Sequence, residues 1–397
     1  MVFLKPRAPE YVLSALRRLE ARGFEGYLVG GCVRDMIMGR RPRDWDICTD
    51  ALSEEVMQIF PHSHPTGIAH GTVTVISRGQ ALEITTYRTD GEYSDFRRPD
   101  KVSFGKELET DLSRRDFTIN AMAMSAEGLI RDPFGGKSDI EAQIIRTVGK
   151  PDERFSEDSL RMLRALRFSA VLGFEIETET LAAVHKNSQL ISHVAIERIS
   201  SELLKTLLAP NPEAALSMLE ISLLCGASGL QNDKRLKRLR RIPKQPAQRL
   251  AALAALLASA GVVRTPRGLL TRLRLDSASF KNASLGAELA LTKKPETALD
   301  WKRLLAANGK EVCDCLAAAD RLLSGNRSSL VYRQVLSSGE CCSLKNLAIS
   351  GGDLLKLGFS GRDVGTTLNS LLDHVLQYPQ ENNAEKLSKI AKKLRRS

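Results

Sequence analysis

The chain has 397 residues, 43% of them hydrophobic, and a formal net charge of +11. That length exceeds one typical domain, and that hydrophobic share suits a globular protein with two or more folding units. No apolar run reaches the roughly 18 residues of a membrane span, and MVFLKPRAPEYV lacks the apolar core of a signal peptide, so no membrane partner and a cytoplasmic location are expected. The basic excess favours a polyanionic partner, nucleic acid first, while 5% aromatics disfavours single-strand recognition by many stacked rings. The seven cysteines include no CxxC pair and no zinc-ligand spacing, so they are expected to be reduced thiols filling small sites.

The first ~145 residues read as mixed α/β. Residues 10–22 carry apolar groups at helical spacing, and Gly23 and Gly26 break that helix before a strand at Tyr27–Val29. A helix follows from Val33 to Met38, with Gly39 as its stop, then a strand from Asp44 to Cys48. Strands Thr72–Ser77 and Ala81–Tyr87 flank SRGQ, a hairpin turn. The polar stretch Arg88 to Asp100 has no core periodicity and is expected to be a mobile loop. From Ser156 onward the pattern is helical: a helix around SEDSLRMLRALRFSAVLGF, another at Ile196–Leu208, several Ala- and Leu-rich helices over 213–330, and a last helical region over 340–395. NDKRLKRLRRIPKQP (232–246) reads as a basic junction, a linker or an RNA contact.

Three clusters carry chemistry. In the first, Gly30-Gly31 follows a strand and precedes a helix bearing Arg34, and Asp44 and Asp46 begin the next strand. Glycines there let backbone approach a phosphate, the helix N-terminus favours an anion, and Arg34 can reach back to a triphosphate. Residues two apart on a strand share a face, about 6.6–7 Å apart between Cα atoms, which suits carboxylates that hold one metal or a close pair. Two-metal phosphoryl-transfer sites hold their ions roughly 3.5–4 Å apart. Glu83, mid-strand in ALEITTY, is the candidate third carboxylate. A GG turn or a DxD pair alone is a common surface feature, whereas the ordered set strand, GG, helix, loop, DxD, strand favours a functional phosphate and metal site.

The second cluster is DLSRRDFTINAMAM (111–124), where Asp116 is expected to cap a helix and Arg115 to lie buried near a triphosphate. The third is EDSLRMLRALR. Asp158, Arg161, Arg164 and Arg167 recur at three-residue steps, so successive members are expected to neighbour each other on one helix. An aspartate accepts from an exocyclic amine, and an arginine beside it donates to a ring nitrogen or carbonyl. Cytosine and adenine offer that polarity. Guanine and uracil reverse it and leave charges unpaired, a discrimination on the order of 10³-fold.

These segments resemble the class II tRNA nucleotidyltransferases, the CCA-adding family of the polymerase-β superfamily. The resemblance runs through YLVGGCVRDMIMGRRPRDWDICTDA, TGIAHGTVTV, LEITTYRTDGEYSDFRRPDKVSF, DLSRRDFTINAMAM, DPFGGKSDI and EDSLRMLRALRFSA. It covers residues ~25–170 and continues in AIERISSELLK and LAISGGDLLKLGF.

The resemblance implies an α+β fold: a polymerase-β-like nucleotidyltransferase head with a small mixed sheet, then an all-α neck, body and tail, at 1–146, 147–210, 211–330 and 331–397. It implies catalysis at Asp44, Asp46 and Glu83, with Mg²⁺ on Asp44 and Asp46. Gly31, Arg34 and Arg115 would hold the nucleotide's phosphates and sugar, Asp158 and Arg161 would read the base, and Arg164 and Arg167 would support the site. CTP and ATP are the implied substrates, added as C, C and A to tRNA, whose top half the helical body and tail would clamp. The full-length stretch DGEYSDFRRPDKVSF argues against CC-only addition. An A-adding specialist and a non-catalytic RNA-binding protein are the alternatives, and the oligomeric state is left open.

Overall fold

The computed structural model describes residues 2–91, 102–221, 233–325 and 327–395. The chain divides into two compact units, Met1–Leu223 and Leu224–Ser397. The first holds a mixed eight-stranded sheet. Its first six strands are β1 (Val2–Phe3), β2 (Gly26–Val29), β3 (Asp46–Thr49), β4 (Ser63–Gly67), β5 (Thr72–Ser77) and β6 (Gln80–Thr86). A separate pair, β7 (Arg88–Asp90) and β8 (Val102–Phe104), comes next, and β9 (Ala123–Met124) and β10 (Leu129–Arg131) complete the large sheet. Its order is β1-β10-β9-β2-β3-β6-β5-β4. All its pairings are antiparallel except β3 with β6.

Local sequence explains the main elements. Helix α1 (Glu10–Glu20) buries Val12, Ala15, Leu16 and Leu19, an i, i+3, i+4, i+7 stripe laid on the sheet. Alternation buries Val73 and Val75 of β5 and Leu82 and Ile84 of β6. Between those strands Arg78 and Gly79 have φ of 47° and 77°, the two left-handed residues of a type I′ hairpin, as SRGQ leads one to expect. Helices α2 (Gly31–Ile37) and α3 (Ser53–Ile59) add Cys32, Val33, Met36, Val56 and Ile59 to this core. On the opposite face, α4 (Leu108–Ser113) packs Leu112 with Val29, Cys48, Tyr87 and Ala123.

Helices α5 (Gly136–Ala142), α6 (Pro151–Glu157) and α7 (Leu160–Leu172) follow. They precede α8 (Thr178–Lys186), α9 (Ile196–Leu207) and α10 (Ala214–Ile221). Ala165, Phe168 and Leu172 of α7 enter the same core cluster as α1 and the sheet.

Several expectations change. The stretch Arg88 to Asp100 is expected to be a mobile loop, yet it opens with a strand, Arg88–Asp90, that pairs with Val102–Phe104 in register; residues 92–101 lie outside the described residues. The basic junction 232–246 is not a linker over its described part. Leu236, Leu239 and Ile242 are buried there, and Arg238 donates to the carbonyls of Leu322 and Leu323, which end a helix in the second unit. Alternating arginines masked this apolar spacing. The second unit is helical throughout its described residues, with Trp301 fully buried 4.6 Å from Tyr332 between ring centroids.

Among the described residues the cysteines are unpaired and mostly buried, and burial pushes the Cys32 thiol up to about 11 and those of Cys313 and Cys315 up to about 12. No described helix is long and apolar enough to cross a membrane.

Candidate active site: a carboxylate cleft and an arginine cluster

The parallel pairing of β3 and β6 sets Asp46 directly opposite Glu83. Neighbouring strands lie about 4.8 Å apart, so these side chains emerge side by side. Asp44 is not on the strand. It lies in a bend two residues before β3 begins, so the same-face spacing inferred for a DxD strand does not apply. The reason is topological: Asp46 pairs with Val29, the last residue of β2, and beyond Val29 the chain leaves the sheet at Gly30. Asp44 still borders the same cleft, of about 380 Å³, with Arg43, Asp46, Thr74 and Glu83. Partial desolvation raises the Asp46 carboxyl above its usual range; Arg115 opposes this, and Glu83 and Asp44 add to it. Asp46 is exposed as a residue, so solvent screens these effects. Among the described residues, no three His, Cys, Asp or Glu side chains form a ready-made ion cage.

Gly30 is the residue whose backbone makes the turn. Its φ of 75° and ψ of −132° suit glycine, and a Cβ there would lie 3.2 Å from Nη1 of Arg115. Gly31, the glycine singled out from sequence, opens α2 outside the left-handed region. Arg34 on α2 donates to Oδ1 of Asp35 through Nε (3.0 Å) and Nη2 (2.8 Å), and to Oδ1 of Asn120 through Nη1 (2.8 Å). Arg115 is held by the fully buried Asp111 at 3.1 Å, and Arg114 donates to the same carboxylate at 2.6 Å. Burial opposes ionisation of Asp111, but the two arginines outweigh it and hold the carboxyl below its usual range. Nε of Arg115 is buried and has no hydrogen-bond partner.

Asp116 was expected to cap a helix and does not. Its Oδ1 accepts from the Phe117 amide (2.9 Å) and from Nδ2 of Asn120 (3.3 Å), and its Oδ2 accepts from Nε of Arg164 (2.7 Å). A partner 48 residues away outweighs the local cap.

The pair expected to read the base is also rearranged. Asp158 terminates α6 in an extended conformation (φ −136°), and α7 begins at Leu160, so Asp158 and Arg161 are not i, i+3 neighbours on one helix. Asp158 instead accepts from Arg198 of α9 through both oxygens, at 3.4 and 3.1 Å, and from the Leu160 amide at 3.1 Å. Arg161 donates to Glu157 at 2.6 Å and to the Arg114 carbonyl at 3.0 Å. Arg164 and Arg167 do continue along α7, and Arg167 pairs with the buried Glu202 of α9.

Arg34 and Arg164 are thus joined through Asn120 and Asp116, Arg161 donates to the carbonyl of Arg114, which shares Asp111 with Arg115, and Arg115 acts electrostatically on Asp46. Sequence reasoning missed Asp111, Asn120, Arg198 and Glu202. Each acts across the chain or on a neighbouring turn, and no local motif marks its partner.

Residues 26–146 match the poly A polymerase head domain, and residues 173–224 match a domain described as the probable RNA and SrmB-binding site of polymerase A. A carboxylate cleft beside a glycine turn on such a head defines a nucleotidyltransferase. The CCA-adding enzyme of Limosilactobacillus fermentum is 38% identical over 96% of this chain and 95% of its own length, and that of Listeria monocytogenes is 37% identical over 94% and 93%. The chain belongs to the CCA-adding enzyme family.

The Geobacillus kaustophilus CCA-adding enzyme is 50% identical over 210 residues, and the chain spans about half of that relative's length, 52%. The solved Bacillus stearothermophilus CCA-adding enzyme, in complex with CTP, has a TM-score of 0.80 at 34% identity, covering 98% of this chain and 97% of its own. A Thermotoga maritima CCA-adding enzyme complexed with tRNA shares the fold at 20% identity and a TM-score of 0.63, covering 96% and 94%.

Proposed function

We propose that this chain adds C, C and A to the 3′ end of tRNA without a template, using CTP and ATP and releasing pyrophosphate. The observation that carries the reading is the register of β3 and β6. It sets Asp46 beside Glu83, with Asp44 on the same cleft and Arg115 next to the Gly30 turn acting electrostatically on Asp46. In this reading the terminal hydroxyl of the tRNA attacks the α-phosphate in line, and pyrophosphate leaves.

Asp44 and Asp46 would hold Mg²⁺, with Glu83 as a neighbouring carboxylate. The residues fit that ion: the donors are hard oxygens, burial raises the Asp46 carboxyl with repulsion from Glu83 and Asp44 added, and an incomplete protein cage suits a cation that keeps waters and phosphate oxygens. When bound, Mg²⁺ eases deprotonation of the attacking hydroxyl and neutralises charge on the phosphates. Arg34 and Arg115 hold the phosphates, and the unpartnered Nε of Arg115 is a donor left over for them. Arg164 and Arg167 support the nucleotide.

Asp158 and Arg161 read the Watson–Crick edge, the aspartate accepting the exocyclic amine. Because Arg198 engages both Asp158 oxygens, that amine has to displace or share one of its bonds. By the same reading residues 1–146 are the head, 147–210 the neck, 211–330 the body and 331–397 the tail. The basic surface takes tRNA phosphates, and the site of action is the cytoplasm.

The test is single-nucleotide incorporation with Mg²⁺ on three tRNA transcripts, ending before CCA, after C and after CC. The expected result is that CTP extends the first two and ATP extends only the third. Extension of the CC-ended transcript alone makes the chain an A-adding specialist, and no extension of any transcript overturns the reading.

A further inference from the structure

We propose that Phe168 is a positioning residue of the nucleotide site, its ring serving as a common seat on which Arg34, Arg164 and Arg167 are oriented. The inference rests on the function proposed above. The guanidinium carbons of Arg167, Arg164 and Arg34 lie 4.2, 5.4 and 5.5 Å from the ring centroid. All three are within the roughly 6 Å over which an aromatic face attracts a cation.

Each guanidinium is also held by its own carboxylate: Asp35 for Arg34, Asp116 for Arg164, Glu202 for Arg167. Those carboxylates sit on three separate segments, α2, the chain after α4, and α9. Three like charges this close repel one another, and the ring is a group common to all of them. Its negative faces offset the repulsion. An aliphatic side chain of similar volume would fill the space without that effect.

The ring is itself fixed. Phe168 is 6% exposed, and Phe117 meets it edge-on, with centroids 5.7 Å apart and planes at 82°. Phe117 follows Asp116, the partner of Arg164. Asn120 closes the circuit: its Oδ1 accepts from Arg34 and its Nδ2 donates to Asp116. Arg34 of the head and Arg164 of α7 are therefore joined twice, by a polar chain through Asn120 and Asp116 and by the ring. In sequence Phe168 reads as one more apolar residue of an amphipathic helix. A residue that only fills the core would affect stability and leave nucleotide affinity alone.

The experiment replaces the ring at position 168 of the full chain with phenylalanines of increasing fluorination, introduced by nonsense suppression. Fluorination drains the negative face while nearly preserving shape. KM and kcat are measured for CTP on a transcript ending before CCA and for ATP on one ending after CC, together with the KM for tRNA and the melting temperature. The expected result is a stepwise rise in KM for both nucleotides, about tenfold across the series. The expected kcat stays within about twofold and the tRNA KM is unchanged, while the melting temperature falls modestly along the series as the repulsion is no longer offset.

Phe168→Leu is expected to match the end of the series in nucleotide KM. A nucleotide KM that stays flat across the series overturns the proposal, whatever the leucine variant does to stability. Arg164→Ala in the same assay tells the two readings apart. If its nucleotide KM rises while the fluorinated series stays flat, only the role of Phe168 falls. If neither moves, the assignment of this cluster to the nucleotide falls with it.

Discussion

Replacing Gly30 with alanine isolates what the glycine turn does. Gly30 has φ 75° and ψ −132°, a combination that costs a residue with a Cβ about 1–3 kcal/mol. The added methyl would also stand 3.2 Å from Nη1 of Arg115, so the guanidinium has to yield by a few tenths of an ångström. A working value of about 2 kcal/mol is roughly a 30-fold change in the folded-to-unfolded ratio. The displacement of Arg115 adds a second effect, a rise in KM for CTP of about tenfold, since misplacement by about 1 Å can cost 10²-fold.

Gly31→Ala is the internal control. Its Cβ would meet Arg34 Nη2 at 3.6 Å, an ordinary contact, and the residue opens α2 outside the left-handed region. It should be neutral or gain up to about 1 kcal/mol. Urea unfolding and steady-state CTP addition measure both quantities. The reasoning is refuted if Gly30→Ala keeps wild-type stability and KM, or if Gly31→Ala is the more damaging of the two.

Asp44→Ala should abolish nucleotide addition while tRNA affinity, measured by filter binding, stays near wild type; retained turnover would remove Asp44 from the metal assignment. Arg161→Ala should relax base choice more than it weakens triphosphate binding. Competition among the four nucleotides reads this directly, and unchanged selectivity counts against it. Asp116→Asn should flatten the acid limb of stability. Burial disfavours the Asp116 carboxylate, but Arg164 outweighs it and keeps its folded pKa below the unfolded value, about 4. The pair's contribution is therefore present above the unfolded value and lost as pH falls through the folded one. Wild type and variant should differ near neutral pH and converge in acid, and a constant difference throughout would sink the argument.

The parts of this molecule that were legible in sequence are those whose cause is local. The α1 stripe, the alternation of β5 and β6, and the Arg78-Gly79 turn each follow from neighbours a few residues apart. The carboxylates could be named because a charge at Glu83, between apolar neighbours, asks for a reason. Their geometry was harder to foresee. Asp44 falls off the strand because β2 ends at Val29, a fact about another segment. Asp116 lost its expected cap to Arg164, and Asp158 lost its expected helical neighbour to a helix break at Ser159 and to Arg198. The short strands β9 and β10 are two and three residues long, too brief to show a period. Basic residues hid the apolar spacing of Leu236, Leu239 and Ile242.

The core cluster that runs from α1 through the sheet to Ala165, Phe168, Leu172 and Phe174 has a consequence for dissecting the molecule. Residue 146, where the match to the head domain ends, cuts through this core. It also separates Asp116 from Arg164. A fragment ending there would lose the far wall of its own interior and leave the buried Asp116 without its charge partner Arg164. Head and α7 should melt in one transition, and a chimaera exchanging heads between relatives has to carry α7 along with the head it was fitted to.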